Sequence, residues 1–320
     1  MIEKIFLYLS NEKNPYINLA IENCLLDRVD DSSLILYLWQ NENTAVIGRN
    51  QNPWAELDLT SLRADGGLVA RRQSGGGAVY HDLGNLNFTF ISSTGNADTS
   101  RNMKIVQSAL KQEGIEAEIS GRNDITVNGK KFSGNAFYNS KNKSYHHGTI
   151  LISSDKEKIA KYLTPSKAKL ESKGVKSVKS RVVNLTEINP RITVKSMAES
   201  LKNALENHFN LIAEPIENID FDVVETCAKR YAEWDYIFGK TISFTLSFAS
   251  HFEWGSIELY FNVENGKICD LQIFTDSLDL SLPELIHNAL INKKFEAESI
   301  KKELKKVLPK EVEKDIISLF

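Results

Sequence analysis

The chain has 320 residues, of which 42% are hydrophobic and 25% charged, and its net charge at pH 7 is −3. This composition is ordinary for a globular protein with a large core, built as one large domain or two. The charge gives no field that would attract nucleic acid or an anionic membrane. Every apolar run is far shorter than the roughly 20 residues of a membrane span. We therefore expect neither a nucleic-acid nor a membrane partner.

The N-terminus and the cysteines indicate the compartment. No basic stretch followed by an apolar one opens the chain, so no signal peptide is expected. Cys24, Cys227 and Cys269 are odd in number and scattered, without the spacing of metal ligands. Such cysteines are typical of a reducing compartment. The sequence therefore predicts a cytoplasmic protein without a permanent metal.

Hydrophobic periodicity predicts strands and helices that alternate through the first two thirds of the chain. In chain order these are a strand over 4–9, a helix over about 16–29, strands over 34–39 and 44–49, a helix over 57–64, strands on both sides of a glycine-rich loop, and helices over about 101–113 and 192–209. After residue 239 come strands over about 241–249, 252–263 and 267–274, then helices over about 283–291 and 295–307. This change of pattern predicts two domains, residues 1–240 and 241–320, of which the second is a small α+β unit.

The most informative stretch is the loop that contains Gly75-Gly76-Gly77 between two strands. Three glycines let a ligand approach the main chain and direct N–H groups to a common point, which favours an anion. Arg71 and Arg72 add fixed positive charge and forked donors. The alternative is a flexible loop with a solvated arginine pair. The flanking strands, with Ser74 and His81 in the same loop, favour an anion-binding site.

A second informative stretch surrounds Asn128-Gly129, a dipeptide that predicts a hairpin with a two-residue turn. The predicted pairs are Val127 with Lys130, Thr126 with Lys131, Ile125 with Phe132, and Asp124 with Ser133. One face is then apolar, and the other carries Asp124, Thr126, Lys131 and Ser133. Lys131 lies in the middle of this polar face and Lys130 at the tip. The residues alone favour a solvated outer face with an Asp124–Lys131 pair of small energetic value.

The third stretch is a strand over 145–152, where period 2 puts His147 on the face of Thr149 and His146 on the opposite face. A lone histidine in a strand is most often a structural residue.

Further on, residues 156–181 hold eight lysines and one arginine against two glutamates. Such a run is usually a solvated face, and nucleic acid is the alternative partner. Tyr162 is its one aromatic residue, which argues against stacking on single-stranded bases.

Residues 71–85 resemble the signature loop of lipoate–protein ligases, and further motifs follow in the order of that family. These are Asn50-Gln51-Asn52-Pro53-Trp54, Asn123-Asp124, Lys131-Phe132-Ser133-Gly134 and His146-His147-Gly148-Thr149. Residues 274–278 are similar to a stretch of the accessory C-terminal domain of long members. The resemblance implies an α+β fold, with a mixed-sheet catalytic domain of the biotin and lipoate ligase type, like class II aminoacyl-tRNA synthetase cores, and a small C-terminal domain.

The resemblance implies a ligase that condenses lipoate with ATP to lipoyl-AMP and passes the lipoyl group to a lysine of an acceptor protein. Lys131 would be the catalytic residue, in contact with both the lipoate carboxylate and the α-phosphate. The nucleotide or adenylate would be bound by Arg72, Gly77, Ala78, Val79, Tyr80, Asn123, Asp124, His147, Thr149 and, in a mobile loop over 173–181, Lys179. Lipoate would be bound by Ser74, Gly75, Gly76 and His81. The Mg²⁺ of the ATP complex would lie at Asp124.

The implied acceptors are lipoyl domains of 2-oxo-acid dehydrogenase E2 subunits and the glycine-cleavage H protein, served by a monomeric ligase. One alternative is an ATP-independent lipoyl or octanoyl transferase on the same fold, which would need a cysteine nucleophile. No cysteine lies in the central loop or the hairpin motifs, and Cys24 lies on a predicted amphipathic helix. Another is a non-catalytic protein that binds lipoate or nucleotide and regulates a partner, but such a binder has less need of Lys131. The choice between lipoate and octanoate depends on pocket depth and stays open.

Overall fold

The computed structural model describes residues 2–120, 124–164, 182–239, 246–264 and 266–320. The strands in these ranges are β1 (Lys4–Leu9), β2 (Ser33–Trp39), β3 (Thr44–Ile47), β4 (Leu68–Arg71), β5 (Val79–His81), β6 (Asn85–Ser93), β7 (Glu118–Ser120), β8 (Asp124–Val127), β9 (Lys130–Asn139), β10 (Lys143–Leu151), β11 (Glu214–Pro215), β12 (Leu246–Phe252), β13 (Gly255–Glu264) and β14 (Lys267–Thr275). The helices are α1 (Pro15–Leu26), α2 (Pro53–Glu56), α3 (Leu59–Ala64), α4 (Thr99–Gln112), α5 (Lys156–Tyr162), α6 (Val194–Phe209), α7 (Phe221–Ala232), α8 (Trp234–Phe238), α9 (Leu282–Leu290), α10 (Ala297–Leu304) and α11 (Lys310–Ile317). The predicted α+β class is confirmed.

An eight-stranded sheet in the order β11-β1-β2-β6-β10-β9-β8-β7 forms the frame of the protein. β1 runs parallel to β2 and β11, and the other neighbours are antiparallel. Every residue of β2 is buried. Its unbroken apolar run over 34–39 is typical of a strand covered on both faces.

Helices cover the two faces of this sheet. Alternate residues of β2 from Leu34 to Leu38 pack in one cluster with α4 and α6. The residues between them, from Ile35 to Trp39, pack in a second cluster with α1 and α7. The period of 2 in a strand therefore divides the core into two layers. We call the second side the α1 face.

A three-stranded sheet, β4-β3-β5, joins the α1 face, because Val46 and Ala70 pack in the same cluster as Trp39. β3 pairs with both β4 and β5. The glycine loop, residues 72–78, connects these two strands. The small sheet thus fixes both ends of the loop beside the main sheet.

The β8–β9 hairpin contains the predicted turn. Both turn residues, Asn128 and Gly129, have positive φ, 51° and 71°, as a two-residue hairpin turn of type I′ requires. The pairs next to the turn form as predicted, Val127 with Lys130 and Thr126 with Lys131.

A β-bulge changes the register beyond these pairs. Ile125 lies opposite Ser133, and Asp124 lies opposite Gly134. The predicted pairs of Ile125 with Phe132 and Asp124 with Ser133 are therefore wrong, because β9 contains one extra residue that simple alternation does not include. The bulge moves Ser133 off the polar face and puts Gly134 on it.

The C-terminal strands form their own sheet, β12-β13-β14, which packs on α9, α10 and α11 in a third hydrophobic cluster. The end of β14 and the residues just after it contact the glycine loop and the loop that contains Asn50. The Thr275 N–H donates to the Asn50 carbonyl at 2.7 Å, and the Gly76 N–H donates to the Ser277 carbonyl at 3.3 Å. No helix in the described part of the chain is long and apolar enough to span a membrane.

Changing Gly75 to alanine should loosen this contact. A Cβ atom at residue 75 would overlap the Ser277 carbonyl oxygen. We expect hydrogen exchange at the Thr275 amide, which bonds to Asn50, to become at least about 10-fold faster. Gly95→Ala is the matched control, since no atom lies within 4 Å of a Cβ added there. Unchanged exchange in the Gly75 variant would show that the C-terminal segment is held elsewhere.

Candidate active site

One row of residues crosses five adjacent strands on the α1 face. Trp39 lies opposite Asn87, Asn87 opposite Thr149, and Gly134 opposite Asp124. The Gly134 N–H completes the row by donating to the Thr149 hydroxyl at 3.2 Å. Residues directly opposed in antiparallel strands share a face. At about 4.8 Å per strand, the row is about 19 Å long.

A pocket lies along this row, between the main sheet and the glycine loop. The row lines one side with Trp39, Asn87, Thr149 and Gly134, and residues 76–78 of the loop with Val79 of β5 line the other. The loop side is backbone-rich and the sheet side carries the functional side chains. A ligand in the pocket would therefore contact main-chain N–H groups and the row together.

Lys131 lies at the charged end of the pocket and is paired with Asp124 beside it. Lys131 Nζ lies 2.7 Å from Asp124 Oδ1, and the side chains are 36% and 28% exposed. The amine lies over Gly134, where a Cβ atom would be only 2.9 Å from Nζ. The bulge thus supplies a residue without a side chain where the amine needs space. A half-exposed ion pair adds little stability, so the Lys131 charge can serve an anionic ligand.

Arg72 lies buried beneath the glycine loop. Its Nε donates to Ser74 Oγ at 3.0 Å, and its Nη2 donates to the carbonyls of Gly75 and Gly77 at 2.6 and 2.8 Å. Burial lowers the pKa of its guanidinium to about 10, so it stays charged at neutral pH. Arg72 therefore holds the loop in shape and places a positive charge behind it.

Arg71 points away from the pocket, toward α8. Its Nη1 donates to the carbonyls of Gly48, Arg49 and Gln51, and its Nε donates to those of Tyr236 and Ile237. One side chain thus ties two distant segments to β4. Its forked donors are used for the fold, so the expected pair of anion-facing arginines reduces to Arg72.

A chain of buried hydrogen bonds under the pocket ends on Glu22 of α1. On one side, Ser74 Oγ contacts His147 Nε2 at 2.7 Å, and His147 Nδ1 contacts Glu22 Oε1 at 2.9 Å. On the other, Trp39 Nε1 donates to Thr89 Oγ1 at 3.1 Å, and the Thr89 hydroxyl donates to Glu22 Oε1 at 2.8 Å. Glu22 is 2% exposed. One buried carboxylate therefore anchors both the glycine loop and the Trp39 ring.

The direction of this chain follows from its carboxylate. Glu22 can only accept, so His147 donates its Nδ1–H to it, and Nε2 of the neutral ring accepts from the Ser74 hydroxyl, which in turn accepts from Arg72 Nε. The carboxylate, imidazole and hydroxyl stand in the order of a hydrolytic triad. Ser74 is, however, fully buried. Here the arrangement positions the loop instead of preparing a nucleophile.

The end of the pocket opposite Lys131, here called the neutral end, is lined by uncharged side chains in front of the buried Arg72 guanidinium. Trp39 lies edge-on to His81, with ring centroids 5.9 Å apart. Burial, with the nearby Arg72 and His147 adding to it, lowers the pKa of His81 to about 3. Leu19 and Val46 complete this end. The pocket therefore joins this neutral end to the end where the Lys131 amine is accessible.

Buried neutral histidines should make the fold sensitive to mild acid. Burial lowers the pKa of His146 to about 3, as it does for His81. Because these folded-state values lie below the usual 6.5, the unfolded chain binds protons more readily, and stability is lost as the pH falls from about 6.5 toward 3. Between pH 8 and pH 5 we expect each histidine to lower the free energy of unfolding by about 2 kcal/mol. Denaturant unfolding at the two pH values should show that the free energy of unfolding of His146→Phe falls by about 2 kcal/mol less than that of the parent. An equal fall in both proteins would contradict a buried, neutral His146.

The profile of the lipoyl protein ligase A/B catalytic domain matches residues 14–206, and that of the bacterial lipoate protein ligase C-terminus matches residues 241–319. The first match alone covers more than half of the 320 residues. This chain belongs to the lipoyl protein ligase A/B family.

Relatives of this family member cover nearly the whole chain. A lipoate-protein ligase A of Psychrobacter cryohalolentis is 39% identical over 308 residues, 93% of this chain and 91% of the relative. The crystal structure of P. falciparum LipL1 in complex with lipoate is 37% identical, covers 98% of both chains and has a TM-score of 0.85. A bipartite lipoate protein ligase from Thermoplasma acidophilum, described with its E2 lipoyl domain, is 25% identical over 77% of this chain and 100% of that one, with a TM-score of 0.66. The predicted fold of the lipoate ligase type is confirmed.

The pocket collects most of the residues that the family resemblance indicated. Those that line it are Arg72, Gly76, Gly77, Ala78, Val79, His81, Lys131, His147 and Thr149. The predicted alternation in β10 is confirmed, since His147 and Thr149 face the pocket, whereas His146 lies among Phe88, Phe90 and Phe137.

The remaining predicted residues lie around the pocket. Ser74 is one hydrogen bond beneath it, on His147. Gly75 faces the C-terminal segment, and the Tyr80 side chain is buried with its hydroxyl on Asn43. Asp124 ends the row beside Lys131. Asn123 and Lys179 lie outside the described residues.

Three residues of this ligase's site were not predicted from the sequence: Trp39, Asn87 and Glu22. Period 2 puts Trp39 with Tyr37, but an unbroken apolar run does not indicate which face is lined by a pocket. Asn87 is a polar residue inside a buried strand, and Glu22 is a carboxylate among the apolar positions of α1. Buried polar residues of this kind are the signal that could have found them.

The cysteines of this family member lie away from the pocket lining in the described residues. Cys24 packs with the second cluster. Burial, with Cys227 nearby, raises the pKa of the Cys24 thiol to about 11. A thiol that is protonated at neutral pH is a poor nucleophile. The structure thus gives Cys24 no feature of a transferase nucleophile.

Asp124 could supply one carboxylate ligand to Mg²⁺, which is part of the shell that this ion needs. Mg²⁺ commonly takes one or two carboxylates and completes its shell with substrate phosphates and water. No group of three His, Cys, Asp or Glu side chains that could hold a metal ion occurs within the described ranges. Asp124, next to a pocket with a cationic end, fits Mg²⁺ as part of a nucleotide complex.

Proposed function

We propose that this chain is an ATP-dependent lipoate–protein ligase. It activates free lipoate as lipoyl-AMP and then transfers the lipoyl group to a lysine of an acceptor lipoyl domain. The row from Trp39 to Asp124 carries the proposal, because it separates a neutral end from the Lys131 amine by about 14 Å, three strand spacings. A medium-length acid fits such a pocket with its carboxylate at the charged end. Membership of the family and the name of the Psychrobacter relative support the same reaction.

In the first step, a carboxylate oxygen of lipoate attacks the α-phosphorus of ATP, and the bond to pyrophosphate breaks with its electron pair. Two anions must meet, so their repulsion opposes the reaction. The Lys131 amine neutralises both and stabilises the charge of the transition state. Asp124 keeps the amine in place through its ion pair at 2.7 Å. Mg²⁺ held with Asp124 would add positive charge to the phosphates.

In the second step, the lysine amine of the acceptor attacks the carbonyl carbon of the adenylate, and AMP leaves with the electron pair of the C–O bond. The attacking nitrogen loses a proton as the amide forms. The glycine loop, shaped by Arg72, holds the phosphate through its N–H groups.

The finer assignments follow the resemblance. We propose that Arg72, residues 77–80, Asn123, Asp124, His147, Thr149 and Lys179 bind the nucleotide, and that Ser74, Gly75, Gly76 and His81 bind lipoate. The acceptors are E2 lipoyl domains and the glycine-cleavage H protein. The Thermoplasma ligase supports the first of these, because it is described together with its own E2 lipoyl domain. The ligase acts in the cytoplasm as a monomer, with domains over 1–240 and 241–320.

Intact-mass analysis of an apo lipoyl domain tests the proposal. The domain is incubated with this protein, Mg²⁺ and lipoate, with and without ATP. We expect a mass gain of one lipoyl group only with ATP. The gain should persist when Cys24, Cys227 and Cys269 are all changed to serine, and should be lost in Lys131→Ala.

Two results would contradict the ligase. Transfer without ATP from an already acylated donor protein, abolished by Cys24→Ser, would indicate the transferase. Binding of lipoate without any modification of the acceptor would indicate a regulator.

A further inference from the structure

Two N–H donors at the neutral end of the pocket lack partners among the described residues. They are Nε2 of His81 and Nδ2 of Asn87. Both side chains line the pocket, and they are 3% and 1% exposed. A buried donor without an acceptor is costly to the fold and points to a ligand.

The hydrogen bonds behind His81 decide which of its nitrogens carries the proton. Asn18 Nδ2 donates to Asn41 Oδ1 at 3.0 Å, so Asn41 presents its Nδ2 to His81 Nδ1 at 3.2 Å. An amide nitrogen can only donate, so Nδ1 is the acceptor of this bond and the proton lies on Nε2. Burial keeps the ring neutral, with a pKa of about 3. His81 thus directs one uncharged N–H into the pocket.

Asn87 supplies the second unpaired donor. Its Oδ1 accepts from Asn85 Nδ2 at 2.9 Å, and its Nδ2 has no partner among the described residues. Asn87 is the register partner of Trp39, and the Trp39 ring lies edge-on to His81. The two donors therefore both adjoin the indole.

These donors suit the far end of the acid and not its carboxylate. The carboxylate belongs at Lys131, which lies two strand spacings along the row from Asn87 and three from Trp39. Neutral N–H groups match a neutral, weak acceptor. The two sulfur atoms of a dithiolane ring are such acceptors, and sulfur also packs favourably against aromatic rings. A plain alkyl end would leave both donors buried and unpaired.

We propose that His81 and Asn87 bind the dithiolane sulfur atoms and so select lipoate over an alkyl acid of equal chain length. This inference rests on the proposed ligase function and adds its substrate choice. Each donor increases the preference for lipoate, because a sulfur atom can accept its hydrogen bond and an alkyl chain cannot.

The test compares lipoate with octanoate, which has the same eight-carbon chain. For each acid, kcat/KM is measured from ATP-dependent acylation of an apo lipoyl domain. We expect the parent to prefer lipoate by at least about 10-fold, and Asn87→Leu and His81→Phe each to reduce this ratio several-fold. His81→Gln, which keeps an N–H donor on a side chain of similar reach, should recover part of it.

His146→Phe is the matched control, because it removes a buried imidazole from the opposite face of the same sheet. Its ratio should equal that of the parent. Equal kcat/KM for the two acids in the parent would overturn the inference without any variant, and so would an unchanged ratio in folded Asn87→Leu and His81→Phe. A parent that acylates the domain with neither acid would overturn the proposed function and the inference with it.

Discussion

Changing Lys131 to alanine should lower the rate of lipoyl-adenylate formation about 1,000-fold. The amine lines the pocket at the end where carboxylate and α-phosphate meet, and without it the repulsion of two anions is uncompensated. Folding should change little, because the side chain is 36% exposed and its ion pair with Asp124 is partly solvated. Lipoate-dependent exchange of pyrophosphate into ATP measures this step before any acceptor takes part.

Lys130→Ala is the control that the hairpin offers. This neighbouring lysine is exposed at the turn, so its removal changes the net charge equally but leaves the pocket intact. We expect it to exchange at the parent rate. The same loss in both variants would mean that the general charge of the hairpin matters, and parent-like exchange in Lys131→Ala would remove this residue from the mechanism.

The second large effect concerns stability. Glu22→Gln should lower the free energy of unfolding by about 3 kcal/mol. In the parent, Glu22 Oε1 accepts from both His147 and Thr89. Glutamine removes the charge that strengthens both bonds, and it brings a donor nitrogen into a site built from donors. The KM for lipoate should also rise, because Ser74 and Trp39 lose their common anchor.

Denaturant unfolding of parent and variant measures the stability change. Glu225→Gln makes the same chemical change on an exposed position of α7, and we expect a difference of no more than about 0.5 kcal/mol there. If the two variants were equally stable, Glu22 would not anchor the network.

Features that depend on sequence neighbours were predictable, and features that depend on distant contacts were not. The Asn128-Gly129 turn and the shared face of His147 and Thr149 follow from local geometry. The bond from His147 to Glu22 joins residues 125 positions apart, and no periodicity in either segment specifies the other. The β9 bulge depends on how that strand pairs with two neighbours at once. Likewise, the donors of Arg71 reach a helix more than 160 residues away, which turned an expected ligand contact into a fold contact.

The row across the sheet also bears on when the protein gains its activity. Its members come from five strands, and two of its four contacts, Trp39 with Asn87 and Asn87 with Thr149, join segments that lie far apart in the sequence. Contacts of this kind form late in folding, after local turns and helices. A partly folded or locally opened chain therefore lacks both ends of the pocket at once. Substrates bind only the completely folded sheet and stabilise it by mass action. Because the pocket is incomplete in any other state, the reactive anhydride is formed only in molecules that can also keep it bound.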